Sequence, residues 1–154
     1  MTPNDIENYI LENFEGVVPK STWGETSFFY NQNKVLPNGV YFCTIKEKDG
    51  DNDKASNLNR DNIFRFSIGI SKQSFNNLFN IKFKRPLKGK TIEGNFDFTK
   101  TNIITPHPIY GWMSWISVLN PSEECFCEIK DFLEESHVLA KSKFDKKILK
   151  LDSK

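Results

Sequence analysis

The chain has 154 residues, a formal charge of +1, 38% hydrophobic residues and 14% aromatic residues. That is one domain's length with enough apolar matter for a core. The near-balanced charge excludes a global field that would draw nucleic acid or an acidic membrane. Phenylalanine alone supplies 14 residues, so the core is expected to be Phe-built. Cys43, Cys125 and Cys127 are an odd set behind an N-terminus with no secretory core, which points to a reducing cytoplasm. No run approaches the roughly 20 apolar residues of a membrane span.

In chain order, Thr2, Pro3 and Asp5 read as N-cap, N1 and N3 of a first helix. Ile6, Tyr9, Ile10 and Phe14 form its apolar stripe, and Gly16 ends it. Gly16 to Lys20 reads as an extended link. Phe28-Phe29-Tyr30 is a strand, Leu36-Pro37-Asn38-Gly39 a turn, and Val40 to Lys46 the next strand, paired antiparallel with the first. Strict alternation puts Val40, Phe42 and Thr44 on one side, with Tyr41, Cys43 and Ile45 on the other.

The polar run from Lys48 to Asp53 looks like a calcium loop. Counted from Asp49, however, the required Gly and Glu positions hold Lys54 and Arg60, so a solvated loop is expected. Phe64 to Ile70 is the third strand, burying Phe64, Phe66, Ile68 and Ile70. Ser71 caps a short helix with Phe75, Leu78 and Phe79. Asn80 to Ile104 is long and irregular and holds Lys82, Lys84, Arg85, Lys88 and Lys90, the best local case for an anionic partner.

Thr105-Pro106-His107-Pro108 reads as a stiff extended arm that aims His107. A strand is expected from Ile109 to Leu119, with Trp112 and Trp115 on opposite faces, so that only one shares a pocket with Tyr110. Asn120, Pro121 and Glu123 read as the start of the last helix, which is expected to run to about Asp145. Residues 1–145 then form one domain, and 146–154 a basic, fraying tail. Cys125 and Cys127 point about 200° apart on that helix and cannot share a metal.

These blocks together resemble a family of small bacterial proteins of unknown function. The matching residues are Trp23-Gly24-Glu25, Phe28-Phe29-Tyr30, Phe42 to Ile45, Lys48-Asp49, Ser56 to Arg60, Phe64 to Gly69, Asp97-Phe98 and Pro106 to Pro121. The family's His-Asp-Phe triplet stands here as Phe96-Asp97-Phe98. More distantly, the order of elements is similar to the MmcQ/YjbR type of fold, for which shape has suggested DNA binding. The resemblance implies a compact two-layer α+β domain. It has a mainly antiparallel sheet, an N-terminal helix, a short middle helix and a long C-terminal helix. It implies no activity.

Three functions stay open. The first is a cleft for a small anionic molecule, built from Trp23, Glu25, Arg60, Arg65, His107 and Tyr110. Arg60 and Arg65 would be an anion site if unpaired, or structural if paired with Glu25 or Asp49. The second is a nucleic-acid or protein interaction module using Lys82, Lys84, Arg85, Lys88 and Lys90. The third is an enzyme with His107 as acid or base, unless that ring merely bonds a carbonyl and fixes its arm. There is no phosphate loop, Gly-x-Ser-x-Gly, His-x-x-x-His or Cys-x-x-Cys, so no metal and no cofactor are expected. The chain is read as a monomer or homodimer.

Overall fold

A computed structural model describes residues 1–153. Helix α1 (Pro3–Asn13) leads into strands β1 (Val17–Thr22), β2 (Glu25–Tyr30), β3 (Val40–Lys46) and β4 (Arg65–Gly69). Helix α2 (Lys72–Phe79), strands β5 (Thr105–Pro106) and β6 (Trp115–Leu119), and helix α3 (Glu123–Asp152) follow. The six strands form one antiparallel sheet in the order β1-β2-β3-β4-β6-β5. The α+β class and the three helices are those expected from the sequence.

One sheet face is apolar and packed. Phe28, Cys43, Ile68 and Ile116 are register partners across β2, β3, β4 and β6, and Ile45, Phe66 and Val118 form the next row. Helix α3 covers these rows. Its Phe126, Ile129, Leu133, Ala140 and Phe144 recur at helical spacing and are all buried. Ser136, on the same stripe, donates to the Phe42 carbonyl at 2.8 Å. Ile6 and Ile10 of α1 complete this core, with Tyr9 edge-on to Phe126 at 5.1 Å. His137 closes the layer, hydrogen-bonded to the Glu15 carbonyl at 2.8 Å and packed against Phe14, Tyr30 and Phe42.

Several local expectations are corrected. The link after Gly16 is strand β1, joined to β2 by a two-residue turn at Trp23 (φ 46°) and Gly24 (φ 74°). Both central residues are left-handed, as this tight hairpin requires. A bulge between Phe28 and Phe29 breaks the alternation in β3. Phe42, Cys43 and Ile45 therefore all enter the core, while Tyr41 and Thr44 turn to the other face. Asn120 does not cap α3. Its side chain is engaged with the Phe64 amide (2.9 Å) and the Asn62 carbonyl (2.7 Å), and Ser122 caps instead by accepting from the Cys125 amide at 3.0 Å. Helix α3 also continues past Asp145 to Asp152, because no Gly or Pro interrupts it and Ile148 still packs on the core. The irregular segment 80–104 is packed through a run of phenylalanines. Phe75 meets Phe83 at 6.0 Å, Phe83 meets Phe96 at 5.9 Å, and Phe96 stacks on Phe98 at 6.1 Å.

The second face of the sheet is polar yet largely covered. At the start of its central strand β4, Arg65, 1% exposed, is held by both carboxylate oxygens of Asp53, with Nη1 donating at 3.0 Å to Oδ1 and at 3.0 Å to Ser56 Oγ. Its partner is thus Asp53, not Glu25 or Asp49. Asp49 instead accepts from the Leu58 amide at 2.8 Å, and Arg60 donates to the Asn57, Ser56 and Thr99 carbonyls. These side chains fold the β3–β4 connection against the sheet.

Asp53→Asn is expected to cost about 3–5 kcal/mol, because it leaves a buried guanidinium uncompensated. Adding Arg65→Met to Asp53→Asn should restore most of that loss. Urea denaturation of the wild type, both single variants and the double variant measures it, and additive losses would exclude the pairing as the source.

Candidate functional site

The polar face carries three transverse rows. The first is aromatic: Phe29 of β2 and Tyr41 of β3 are register partners, and Trp115 of β6 continues the row. Between β3 and β6, strand β4 contributes only Gly69. A Cβ there would lie 2.8 Å from Trp115 Cε2, so glycine is what lets the indole lie across β4 toward Tyr41. The second row is hydroxyl-bearing. Ser27, Thr44, Ser67, Ser117 and Thr105 are successive partners across five strands. The Ser67 and Ser117 hydroxyls bond each other at 2.8 Å. The third row is charged: Glu25, Lys46 and Arg65. Lys46 lies 3.8 Å from Glu25.

The β2 and β3 members of these rows, with Trp115, floor an open cavity of about 1090 Å³. Asn52 and Asp53 come to it from the β3–β4 connection, and Arg85 to Gly89 from the irregular segment. The remaining wall is the turn between β5 and β6, which brings His107, Ile109, Tyr110, Trp112 and Met113. Arg85 stands over the Trp112 ring at 5.3 Å. Among the described residues, ion pairs join Lys46 to Glu25, Arg65 to Asp53 and Lys141 to Glu15, which leaves Arg85 and Lys88 without a carboxylate.

His107 organises that turn. Its Nδ1 accepts from the Ile109 and Tyr110 amides, both at 3.1 Å, and its own amide donates to the Trp115 carbonyl at 2.8 Å. The ring therefore bonds amides and not a carbonyl. The tight turn at Gly111–Met113 is why β6 starts at Trp115 and not at Ile109. It also overturns the opposite-faces expectation, since Trp112 and Trp115 both line the cavity with Tyr110. Burial, followed by the charges of Arg65 and Lys46, pushes the His107 pKa well below the usual histidine value. With Nδ1 accepting, the single proton sits on Nε2, which has no protein partner among the described residues. The ring thus presents an N–H donor on the cavity wall. Service as a base at Nε2 would need the proton on Nδ1, at the expense of two backbone hydrogen bonds. Burial, then Tyr110 and Glu25, raises the Tyr41 pKa, so its hydroxyl also keeps its proton.

A family of unknown function, DUF6194, matches residues 1–148. The chain belongs to that family. No curated protein and no solved structure matches it. Family membership agrees with the uncharacterised family expected from the sequence and adds no reaction, so the site stands on its geometry.

Of the residues singled out in the sequence, Glu25, His107, Tyr110, Arg85 and Lys88 meet at the cavity. Trp23 does not line it and is 96% exposed at the hairpin tip. Arg60 staples a loop, and Arg65 lies under the floor with Asp53. Lys82, Lys84 and Lys90 are exposed and outside the lining. Tyr41, Thr44, Lys46 and Ser27 were missed. The period-two pattern of β2 marks Glu25, Ser27 and Phe29 as one face, but the bulge hides the matching face of β3. Among the described residues no three His, Cys, Asp or Glu side chains gather as a metal set, and no helix is long and apolar enough to cross a membrane.

Below the unfolded value of about 6.5 the unfolded chain takes up a proton that folded His107 refuses. His107 should therefore contribute stability above pH 6.5 and lose it as pH falls toward 5, by up to about 1.4 kcal/mol per unit. In His107→Asn, whose amide oxygen stands near the Nδ1 position, denaturation midpoints should lack this slope. An unchanged slope between pH 5 and 6.5 would contradict the assignment.

Proposed function

We propose that the protein binds a small anionic ligand in the cavity on the polar face of its sheet. The supporting observation is the pair of cations, Arg85 and Lys88, that line the cavity without carboxylate partners among the described residues. Asp53 is neutralised by Arg65, and Glu25 by Lys46, so the remaining field inside is positive. The Arg85 guanidinium is braced by Trp112, which leaves its N–H edge to receive a carboxylate or phosphate. A protonated Nε2 of His107 supplies a neutral donor beside them. The cavity is large enough for a metabolite. A cytoplasmic location accords with three free thiols, two of them buried.

Thermal denaturation at constant ionic strength tests this with phosphate monoesters, aryl carboxylates and their uncharged parent alcohols. An anion at a hundredfold over its Kd should add about 2.7 kcal/mol, a rise in Tm of roughly 5–10 °C for a domain of this size. Arg85→Leu should abolish the rise, and Lys84→Met should leave it intact. Equal rises with the uncharged parents, or none with any anion, would contradict the proposal. So would binding of duplex DNA that depends on Lys82, Lys84 and Lys90 alone.

A further inference from the structure

We infer, resting on the anion-site reading above, that the ligand is a free nucleoside phosphate. The order of the three rows on the cavity floor carries this. Residues of one face recur every second position, so neighbouring rows lie about 6.7 Å apart and the outer two about 13 Å apart. A nucleoside phosphate presents the same order of parts over a comparable length: a flat base, a hydroxyl-bearing sugar and a dianionic group.

The aromatic row is shaped for the base. Phe29 and Tyr41 rings meet at 5.8 Å, and Tyr41 and Trp115 at 5.3 Å with only 32° between their planes. Tyr41 is 46% exposed, so this shelf is not closed by protein. The empty Cβ position at Gly69 keeps the indole flat on the sheet instead of upright. Phe29 stands at 59° to Tyr41 and edges the shelf, while the near-parallel, accessible pair of Tyr41 and Trp115 favours offset stacking with another flat ring over packing with a branched or puckered one. Ser27 and Thr44, next along the floor, offer donors and acceptors to sugar hydroxyls. At the charged end the Arg85–Gly89 wall meets the β3–β4 connection that brings Asn52 and Asp53. A Cβ on Gly89 would lie 3.7 Å from Asn52 Oδ1, so the backbone next to Lys88 runs beside Asn52 at the cavity edge. Lys88, which has no carboxylate among the described residues, receives the phosphate as a point charge.

Isothermal titration calorimetry of the wild type with AMP, GMP, CMP and UMP, with adenosine, and with ribose 5-phosphate tests the assignment. At least one mononucleotide should bind, with adenosine and ribose 5-phosphate each roughly tenfold to a hundredfold weaker than AMP. Lys88→Gln should weaken AMP and leave adenosine unchanged. Trp115→Leu should weaken AMP and leave ribose 5-phosphate unchanged, and Trp23→Ala should change nothing. Lys88 is exposed, so its variant reports even if the Trp115 variant folds poorly. Ribose 5-phosphate binding as tightly as AMP would overturn the nucleoside assignment and leave the anion site standing. Adenosine binding as tightly as AMP would overturn both. Failure of every mononucleotide overturns this inference, and an oligonucleotide binding more tightly than any mononucleotide overturns it in favour of a strand.

Discussion

The buried pair of Arg65 and Asp53 is the constraint on which the polar half of this protein depends. Arg65 sits mid-sheet on β4, where an unpaired charge would be prohibitive. Asp53 reaches it from the connection between β3 and β4, and Ser56 adds a third hydrogen bond. The pair therefore fixes more than a charge. It pulls a polar connection down over the sheet, and Asp49 and Arg60 then close that connection on its own backbone. The guanidinium also keeps His107 neutral, after the larger effect of burial. One ion pair thus sets a loop, a cavity edge and a protonation state.

The sheet is consequently divided by chemistry as well as by geometry. One face is a Phe- and Ile-rich core under α1 and α3. The other is a graded surface running from aromatic through hydroxyl to charged. Two departures from regular strand geometry make the gradation possible. The bulge at Phe28/Phe29 turns Tyr41 and Thr44 outward from a strand that also buries Phe42, Cys43 and Ile45. Gly69 opens the centre of the sheet so that the Trp115 indole can lie across it. The turn held by His107 then folds Trp112 back over the same cavity, where it meets Arg85.

Much of the fold was legible in the sequence because its signals are local. Thr2 with Asp5, Ser71 before α2, and the alternation of Phe64, Phe66, Ile68 and Ile70 need no distant partner to be read. The site was legible only in part because its determinants are not local. Asp53 was hidden in a run resembling a calcium loop, and nothing nearby marks it as the partner of Arg65. The face of β3 depends on a bulge that leaves no signature in Val40 to Lys46. His107 was identifiable from the two prolines around it, but its use of Nδ1 to hold a turn depends on the chain reversing after Pro108. Grouping Trp23 with the ligand cleft rests on its being an aromatic residue near the sheet ends. As the first residue of a tight hairpin turn it points into solvent instead.

The arrangement makes the three tryptophans internal reporters: Trp112 and Trp115 line the cavity, while Trp23 stands at the hairpin tip. The most direct measurement is a two-dimensional proton–nitrogen NMR titration of the three indole N–H signals with AMP, GMP, CMP and UMP in turn. At least one of the four should produce saturable shifts at Trp112 and Trp115 with Trp23 unmoved. Shifts confined to Trp23, equal drift of all three signals, or no shift at any of them, with every one of the four, would contradict the account.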